Sequence, residues 1–390
     1  MKKILFLIIS LFAIAYIFEA LLMVGEFFVI ENRKKILEKN IEKKINENEF
    51  DQRKIYESYL DSKDSKDLLI SPKLFKNSKT LLPLGLKPNE IYFTYEKEHG
   101  NFPNYIVDKH GFRNPKGYLD KQYLNTVIIG DSFLMPGQYK DTISRQIEKI
   151  TNEKVVTLAQ GSYGMLYYYA MYKEYLIDKN VTNLLIFYFE PNDLQNLGDE
   201  LNINILRQYL YDDEFKQDLT KKVDEIENLY NENERYKFIQ KRGLSKQRYD
   251  KKIIERMDFL KFFTLEQFLK LWKTRTLLYG QHISKPINEF SEIMKKFKFY
   301  TNKNNTNLIF VYVPSINRYA YNKILLNSNS KKRSEILEIL KRLNIFTIDL
   351  HEDVYLKFND PTELFPYSSY GHNNKLANIT IAKYLSDFLK

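Results

Sequence analysis

The sequence of 390 residues contains no cysteine. This absence excludes structural disulfides, thiol catalysis, zinc sites with thiolate ligands and a lipidated N-terminal cysteine. The sequence also lacks histidine pairs and acidic clusters at the spacing of metal ligands, and it lacks the glycine patterns of phosphate-binding and dinucleotide-binding loops. We therefore expect neither a metal nor a cofactor.

The sequence has no block of basic residues. Lysine and arginine total 60 against 50 aspartate and glutamate, a net charge of +10, but the two signs are interspersed along most of the chain. Nucleic-acid-binding proteins gather basic residues on one face or segment, so we expect no nucleic-acid partner. The lysine excess indicates a solvated basic surface, with attraction to anionic lipid headgroups as the alternative.

An apolar run opens the chain. Residues 4 to 18 are uncharged, Glu19 interrupts the run, and residues 20 to 25 continue it. A helix over this run is long enough to cross a bilayer, which takes about 20 residues. A cleavable signal peptide is the alternative, but no small-x-small cleavage site follows the apolar core. We expect residues 1–30 to be a retained, single-pass membrane anchor.

Five short apolar runs follow further along the chain, at residues 125–130, 154–160, 183–191, 307–314 and 345–350. Runs that are apolar at nearly every position are typical of strands buried on both faces of a parallel sheet. Segments with helical spacing of apolar residues lie between them. The pattern predicts a layered α/β domain with about five parallel strands.

The composition divides the chain further. Residues 31–75 are rich in charge and predict a helical stalk, and residues 76–122, punctuated by proline and glycine, predict a lead-in of short strands and turns that packs on the core. The α/β core then occupies residues 123–198 and 287–390. The intervening residues 199–286, dense in charge and aromatics, predict an inserted helical cap.

Reactive or anion-stabilising side chains follow the predicted strands. Gly130, Asp131 and Ser132 follow the first strand, Gly161 the second and Asn192 the third. Residues at the carboxyl ends of parallel strands face the crevice where ligands bind. A serine hydroxyl there can act as a nucleophile, whereas the serine and glycine backbone N–H groups and the asparagine amide can stabilise an oxyanion.

His372, near the C-terminus, supplies a base for that serine. Each residue has a structural alternative: Ser132 and Asn192 are common helix caps, Gly161 suits an ordinary turn, and a lone histidine is commonly a packed or solvated residue. Their order, and their placement after successive strands, favour acyl transfer.

These residues resemble the blocks of the SGNH or GDSL hydrolases. The first block is matched by "GDSF" at 130–133, the second by Gly161, the third by Asn192 in "EPND", and the last by His372, with Asn374 in a His-x-Asn continuation. The segment "DKHGFRNP" at 108–115 is similar to a lead-in of membrane-anchored bacterial members. The resemblance implies a flavodoxin-like α/β/α sandwich, with Ser132 as nucleophile and His372 as base.

The sequence departs from this family in two places. Glu190 stands where the third block usually has a glycine, and Ser369 stands where the family has the aspartate that orients the histidine. Asp360 or Glu363 can replace that acid, or a backbone carbonyl can orient the histidine in a Ser–His dyad. Supporting roles are also open to Asp131 and Asn374, which adjoin the two motifs.

The resemblance implies a serine ester hydrolase or O-acyltransferase. Similar anchored proteins act on O-acyl groups of envelope polysaccharides, so we expect an O-acetyl ester of a glycan and a catalytic domain outside the cytoplasm. Basic residues between 33 and 44 outnumber Lys2 and Lys3, and the positive-inside rule would instead keep that domain in the cytoplasm. A catalytically weak scaffold or glycan-binding protein is the alternative, and a lipase would need an exposed apolar face at 257–272.

Overall fold

The computed structural model describes residues 2–62, 67–94, 100, 104–135, 139–242, 264–279, 286–320, 332–368 and 371–389. Numbered along these residues, the strands are β1 (Asp67–Leu68), β2 (Ile91–Phe93), β3 (Asn104–Ile106), β4 (Tyr123–Gly130), β5 (Val155–Ala159), β6 (Asn180–Phe189), β7 (Asn307–Val313) and β8 (Phe346–Asp349). The helices are α1 (Lys2–Asn46), α2 (Ile55–Leu60), α3 (Ile143–Thr151), α4 (Met165–Tyr175), α5 (Asp193–Glu200), α6 (Asn204–Tyr211), α7 (Val223–Glu232), α8 (Glu234–Arg242), α9 (Leu265–Leu269), α10 (Trp272–Tyr279), α11 (Ile287–Lys303), α12 (Asn317–Ala320), α13 (Arg333–Arg342), α14 (Leu350–Asp353) and α15 (Lys375–Ser386).

The larger sheet has five parallel strands in the order β5-β4-β6-β7-β8. Counted along the chain, this order is second, first, third, fourth, fifth, which is the order of flavodoxin-like sheets. The predicted α/β fold with about five parallel strands is confirmed. The strand order reverses beside β4, so a ligand crevice is expected where β4 and β6 end.

Helices cover both faces of this sheet. On β4, Val127 and Ile129 pack into a core shared with α4, α11 and α13, whereas Ile128 packs into a second core with α3 and α15. Because both faces are covered, nearly every position of the central strands must be apolar. This burial explains the continuous apolar runs in the sequence.

The segments outside the sheet are mostly helical or short. The lead-in contributes β2 and β3 to a small sheet whose third strand, β1, lies in the predicted stalk; β1 and β2 are parallel, and β2 and β3 are antiparallel. Within the described part of residues 199–286, the chain forms α6 to α10, and α6 places Leu206 and Tyr209 in the same core as α4. The sequence from 257 to 263, part of the apolar cap stretch, lies outside the described residues.

The N-terminal helix α1 is continuous from the apolar run into the charged stretch. Its apolar part is long enough to cross a membrane and is almost entirely exposed, and its length and composition fit a membrane anchor and a signal sequence alike. Farther along, Leu37 and Ile41 are buried in a small cluster with Tyr367. The Asn40 amide also donates to the Tyr367 carbonyl at 2.7 Å, so this part of α1 is docked beside the loop that precedes α15.

Candidate active site

The four residues of the predicted site lie around the carboxyl end of the central sheet. Ser132 begins a short 3₁₀ turn directly after β4, Gly161 follows β5, and Asn192 stands between β6 and α5. His372 lies in the loop before α15. The parallel strands therefore bring together groups that are far apart in the sequence.

Ser132 and His372 are in direct contact. The His372 Nε2 atom lies 2.9 Å from the Ser132 Oγ atom, although 240 positions separate the two residues. With the imidazole proton on Nδ1, Nε2 accepts the hydrogen bond from the serine hydroxyl, which is the geometry that a general base requires.

Asp131, not Ser132, caps the turn that carries the hydroxyl. Its Oδ1 atom accepts a hydrogen bond from the Phe133 backbone N–H at 2.8 Å. Gly130 is needed just before it, because a Cβ atom there would stand 2.8 Å from a Leu134 methyl carbon and 3.1 Å from the Phe187 Cβ. The capping role considered for Ser132 is thus filled by its neighbour, and the Ser132 hydroxyl is directed to the site.

The second carboxylate oxygen of Asp131 joins two parts of the site. Oδ2 accepts from the Asn192 side-chain amide at 3.2 Å and lies 3.3 Å from the Ser132 hydroxyl. Asp131 is buried, and burial raises the pKa of its carboxyl; hydrogen bonding from Phe133 and the nearby charge of His372 oppose that rise. Asp131 therefore orients Asn192 beside the hydroxyl.

Asn192 occupies the cap position of α5 without capping that helix through its side chain. Its amide nitrogen donates to Asp131, and its buried Oδ1 atom has no hydrogen-bond partner among the described residues. An amide nitrogen carries two protons, so one remains for a ligand.

Gly161 lies across the crevice from the hydroxyl. A Cβ atom built on Gly161 would be 3.9 Å from the Ser132 Cβ, which is ordinary van der Waals contact. A side chain here would thus fold without a clash but would fill the space beside Ser132. The absence of a side chain keeps that space open.

Two phenylalanines that the sequence reasoning missed hold the His372 ring. The Phe133 ring stands edge-on to it with 6.1 Å between ring centroids, and the Phe189 ring lies nearly parallel to it at 6.2 Å. Aromatic packing of this kind restricts the imidazole to few orientations. The positions of these residues, directly after Ser132 and at the end of β6, are the only sequence signal for this role.

The position of the orienting acid is only partly described. Ser369 lies outside the described residues. The Asp360 carboxylate caps the turn Pro361–Leu364 by accepting from the Thr362 N–H at 2.9 Å. In the part of the chain that the structure describes, no hydrogen bond joins Asp360 or Glu363 to His372.

Asn374 holds the loop that carries His372. Its Oδ1 atom accepts from the Ala377 N–H at 3.0 Å and caps α15, while its amide donates to the carbonyls of Glu363 and Phe365 at 2.6 and 3.2 Å. These contacts give a mechanism for the supporting role predicted for Asn374.

The lead-in supports the turn that carries Ser132. Arg113 donates to the Met135 carbonyl at 2.6 Å, just beyond Ser132. Asn114 exchanges hydrogen bonds with the backbone of Thr157 on β5 at 3.0 and 2.8 Å, and its amide also donates to Asp108 at 3.0 Å. Asn114 thereby satisfies the Thr157 backbone groups at this edge of the sheet, which hinders pairing with another chain there.

Glu190 has a structural role at the position where the resembled family has glycine. Its carboxylate is fully buried, accepts from the Ser315 N–H at 2.8 Å and pairs with Arg318. It ties the end of β6 to the loop after β7.

Two further carboxyl groups are buried behind the site. Burial raises the pKa of Asp193, and the negative charge of Asp131 adds to the rise. Burial also raises the pKa of Glu200 to about 7, against the favourable charge of Lys73 and hydrogen bonds from the backbone at the start of α4. Within the described ranges, no three histidine or acidic side chains are grouped to hold a metal.

No protein-family model matches the chain, and no curated protein matches it. Among solved structures, the chain is similar to that of a Desulfitobacterium hafniense DCB-2 protein assigned to the G-D-S-L family of lipolytic proteins. The identity is 12%, the TM-score is 0.32, and the match covers 68% of this chain and 99% of that chain. At that level of similarity, functional assignment rests on the residues of this chain itself.

Proposed function

We propose that the chain is a membrane-anchored serine ester hydrolase or O-acyltransferase of the SGNH type. The observation that carries this proposal is the 2.9 Å contact between His372 Nε2 and Ser132 Oγ at the carboxyl end of the sheet. A histidine and a serine from opposite ends of a domain are brought together with an asparagine amide and an open glycine beside them. Packing alone does not require this arrangement.

In the proposed reaction, His372 Nε2 takes the Ser132 proton as Oγ attacks the ester carbonyl. The carbonyl oxygen becomes an oxyanion, which the Ser132 and Gly161 N–H groups and the Asn192 amide stabilise. His372 then gives the proton to the departing alkoxide, leaving an acyl group on Ser132. Positioned acid–base catalysis contributes about 10² to 10⁴ in rate, and each oxyanion donor about 10² to 10³.

The second half of the reaction returns the enzyme to its first state. Water that attacks the acyl-serine gives hydrolysis, whereas a sugar hydroxyl gives acyl transfer; in both cases His372 first accepts and then returns the proton. We propose that the catalytic groups are Ser132 and His372, with Asp131 nearby. The charge of Asp131 faces His372 and favours its protonated form in the transition state.

We propose an acyl ester, preferably the O-acetyl group of an envelope glycan, as the substrate. The membrane part of this proposal is supported by the docking of α1 beside the His372 loop, through Asn40 and Tyr367. Asn40 lies about 22 Å along the helix axis from Gly25, at about 1.5 Å per residue. The crevice would then stand close to the membrane surface on the outer side.

The first test is covalent labelling of the full chain in detergent with a fluorophosphonate probe, which reports activated serines. We expect labelling of the wild type and its loss in Ser132→Ala and His372→Ala. Ser71→Ala and His351→Gln serve as matched controls that keep labelling, since Ser71 caps a remote turn and His351 bonds Tyr319. Folding of each variant is checked by circular dichroism.

An unlabelled but folded wild type would contradict the hydrolase proposal and favour the anchored scaffold or glycan-binding alternative. The observation behind that alternative is that Ser369 stands where the resembled family has its orienting aspartate. A labelled wild type is next given p-nitrophenyl acetate with and without acetyl-free oligosaccharides. Acetylated sugar identifies a transferase, and free acetate alone identifies a hydrolase.

A further inference from the structure

A short helical hairpin packs against the apolar part of α1. It consists of α9 and α10, which are separated by Lys270 and Leu271; Leu271 has a left-handed backbone conformation with φ +50°. The Tyr16 ring lies 5.5 Å from the Phe268 ring, between centroids. The hairpin is therefore held beside the segment of α1 that contains the proposed membrane span.

Glu19 is the side chain that joins the two elements. It interrupts the apolar run and is fully buried, although its apolar neighbours on α1 are largely exposed. Its two carboxylate oxygens accept from the Lys273 and Thr274 backbone N–H groups at 2.8 and 2.7 Å. Those groups belong to the first turn of α10, where unpaired donors and the helix dipole favour a negative charge.

Other side chains of α1 also bind the segment where α9 ends and α10 begins. The Tyr16 hydroxyl donates to the Leu269 carbonyl at 3.0 Å, and Lys273 forms an ion pair with Glu26 at 2.5 Å. In contact with lipid, a break between helices is tolerated only where protein groups satisfy its polar backbone atoms. Tyr16 and Glu19 meet that requirement on both sides of the break.

The outer surface of the hairpin carries large apolar side chains among charged ones. Leu265 is 67% exposed, and Leu269 and Trp272 are also exposed, as are most apolar side chains of the first 25 residues of α1. The charged side chains of the hairpin are long enough to reach headgroups while their stems stay in apolar surroundings. Tryptophan itself favours the membrane–water interface.

We propose that residues 264–279 form a second membrane-inserted element, a hairpin in the interfacial layer of the bilayer that Glu19 latches to α1. The partner is lipid: acyl chains contact Leu265, Leu269 and Trp272, and headgroups contact the charged side chains. The inference rests on the proposed anchor. A single helix would leave the domain free to rotate about the membrane normal. Two attachments hold the crevice of Ser132 in one orientation toward the membrane surface.

Trp272 is the single tryptophan of the chain, so its fluorescence directly measures whether residues 264–279 insert into the bilayer. The full chain is reconstituted in phosphatidylcholine vesicles, floated on a density gradient, and its fluorescence is recorded with lipids brominated either near the headgroup or near the chain end. We expect blue-shifted emission, of which about half is quenched by the shallow bromolipid and less by the deep one.

A control places the tryptophan at the end of the sheet opposite the crevice. In Trp272→Phe combined with Tyr123→Trp, the tryptophan stands at the exposed start of β4 and should remain unquenched. Unquenched Trp272 in floated protein overturns the proposal, whether its emission is that of an indole in water or of one covered by another protein copy. Failure to float overturns the anchor and this inference together, whereas labelling of Ser132 tests the hydrolase separately.

Discussion

The Asp131 carboxylate accepts a hydrogen bond from the Asn192 side chain at 3.2 Å, and the same oxygen lies 3.3 Å from the Ser132 hydroxyl. One buried group therefore sets the orientation of a proposed oxyanion donor and adjoins the proposed nucleophile. Its carboxylate also lies near enough to His372 for the two charges to interact. This relationship makes Asp131 the most informative residue to change.

Asp131→Asn should lower the rate of ester hydrolysis by about 10- to 10³-fold while the protein stays folded. The new amide can still accept from the Phe133 N–H but has no negative charge and directs a donor at Asn192. Stopped-flow hydrolysis of p-nitrophenyl acetate measures the effect. Asp141→Asn, a carboxylate paired with Lys375 at 3.2 Å, is the matched control and should be unaffected. Equal rates in both variants would show that Asp131 has no role in the reaction.

Asn192→Ala should reduce kcat by about 10² to 10³-fold with little change in KM, because an oxyanion donor acts in the transition state. The substitution removes an amide that does not cap α5, so the melting temperature should change little. Asn202→Ala, which removes an exposed hydrogen bond to the Gly198 carbonyl, is the control. A fall in substrate affinity alone would show that Asn192 binds the ground state instead.

Two nearby glycines should respond in opposite ways. Gly161→Ala adds a methyl group at ordinary contact distance from Ser132, so folding should persist while probe labelling falls at least about tenfold. Gly164→Ala drives its methyl to 2.8 Å from the Asp193 carbonyl oxygen and should lower the free energy of unfolding by about 1 to 3 kcal/mol. Thermal melts and labelling rates on both variants separate the two effects. Loss of stability in Gly161→Ala would contradict its assignment to the crevice.

The pKa of Glu200 predicts how stability changes with pH. Burial raises this pKa from 4.5 to about 7, so the folded state binds a proton more tightly than the unfolded state. The associated stability is complete below pH 4.5 and is lost as the pH rises through 7, a change of about 3 kcal/mol at about 1.36 kcal/mol per pH unit. Burial raises the pKa values of Asp131 and Asp193 too, so these groups also lower the stability of the fold as the pH rises.

Glu200→Gln removes this dependence because an amide does not ionise. Urea unfolding between pH 4 and 8, on the wild type and the variant, should show a shallower decline for the variant. The amide keeps one acceptor for the Gly164 and Leu166 N–H groups, so part of the helix capping survives. A decline of equal slope in both proteins would assign the pH dependence to other groups.

The sequence determined the sheet and the residues at its end. Continuous apolar runs indicate strands buried on both faces, because a strand covered by helices on both sides cannot place polar groups on either face. The ends of those runs located Ser132, Gly161 and Asn192, since parallel strands end at one edge. The motif around His372 was visible too, but its distance from Ser132 was not, because a sequence separation of 240 positions does not determine a distance in space.

Only the tertiary structure decided which side chains surround these residues. The packing of Phe133 and Phe189 on His372, the use of Asp131 as a cap and the link from Asp131 to Asn192 depend on angles between elements that are distant in the chain. The same holds for Glu19, which the sequence presents as an interruption in an apolar helix. Its two hydrogen bonds to α10 arise because burial of a charge is tolerated only where folding brings matching donors to it.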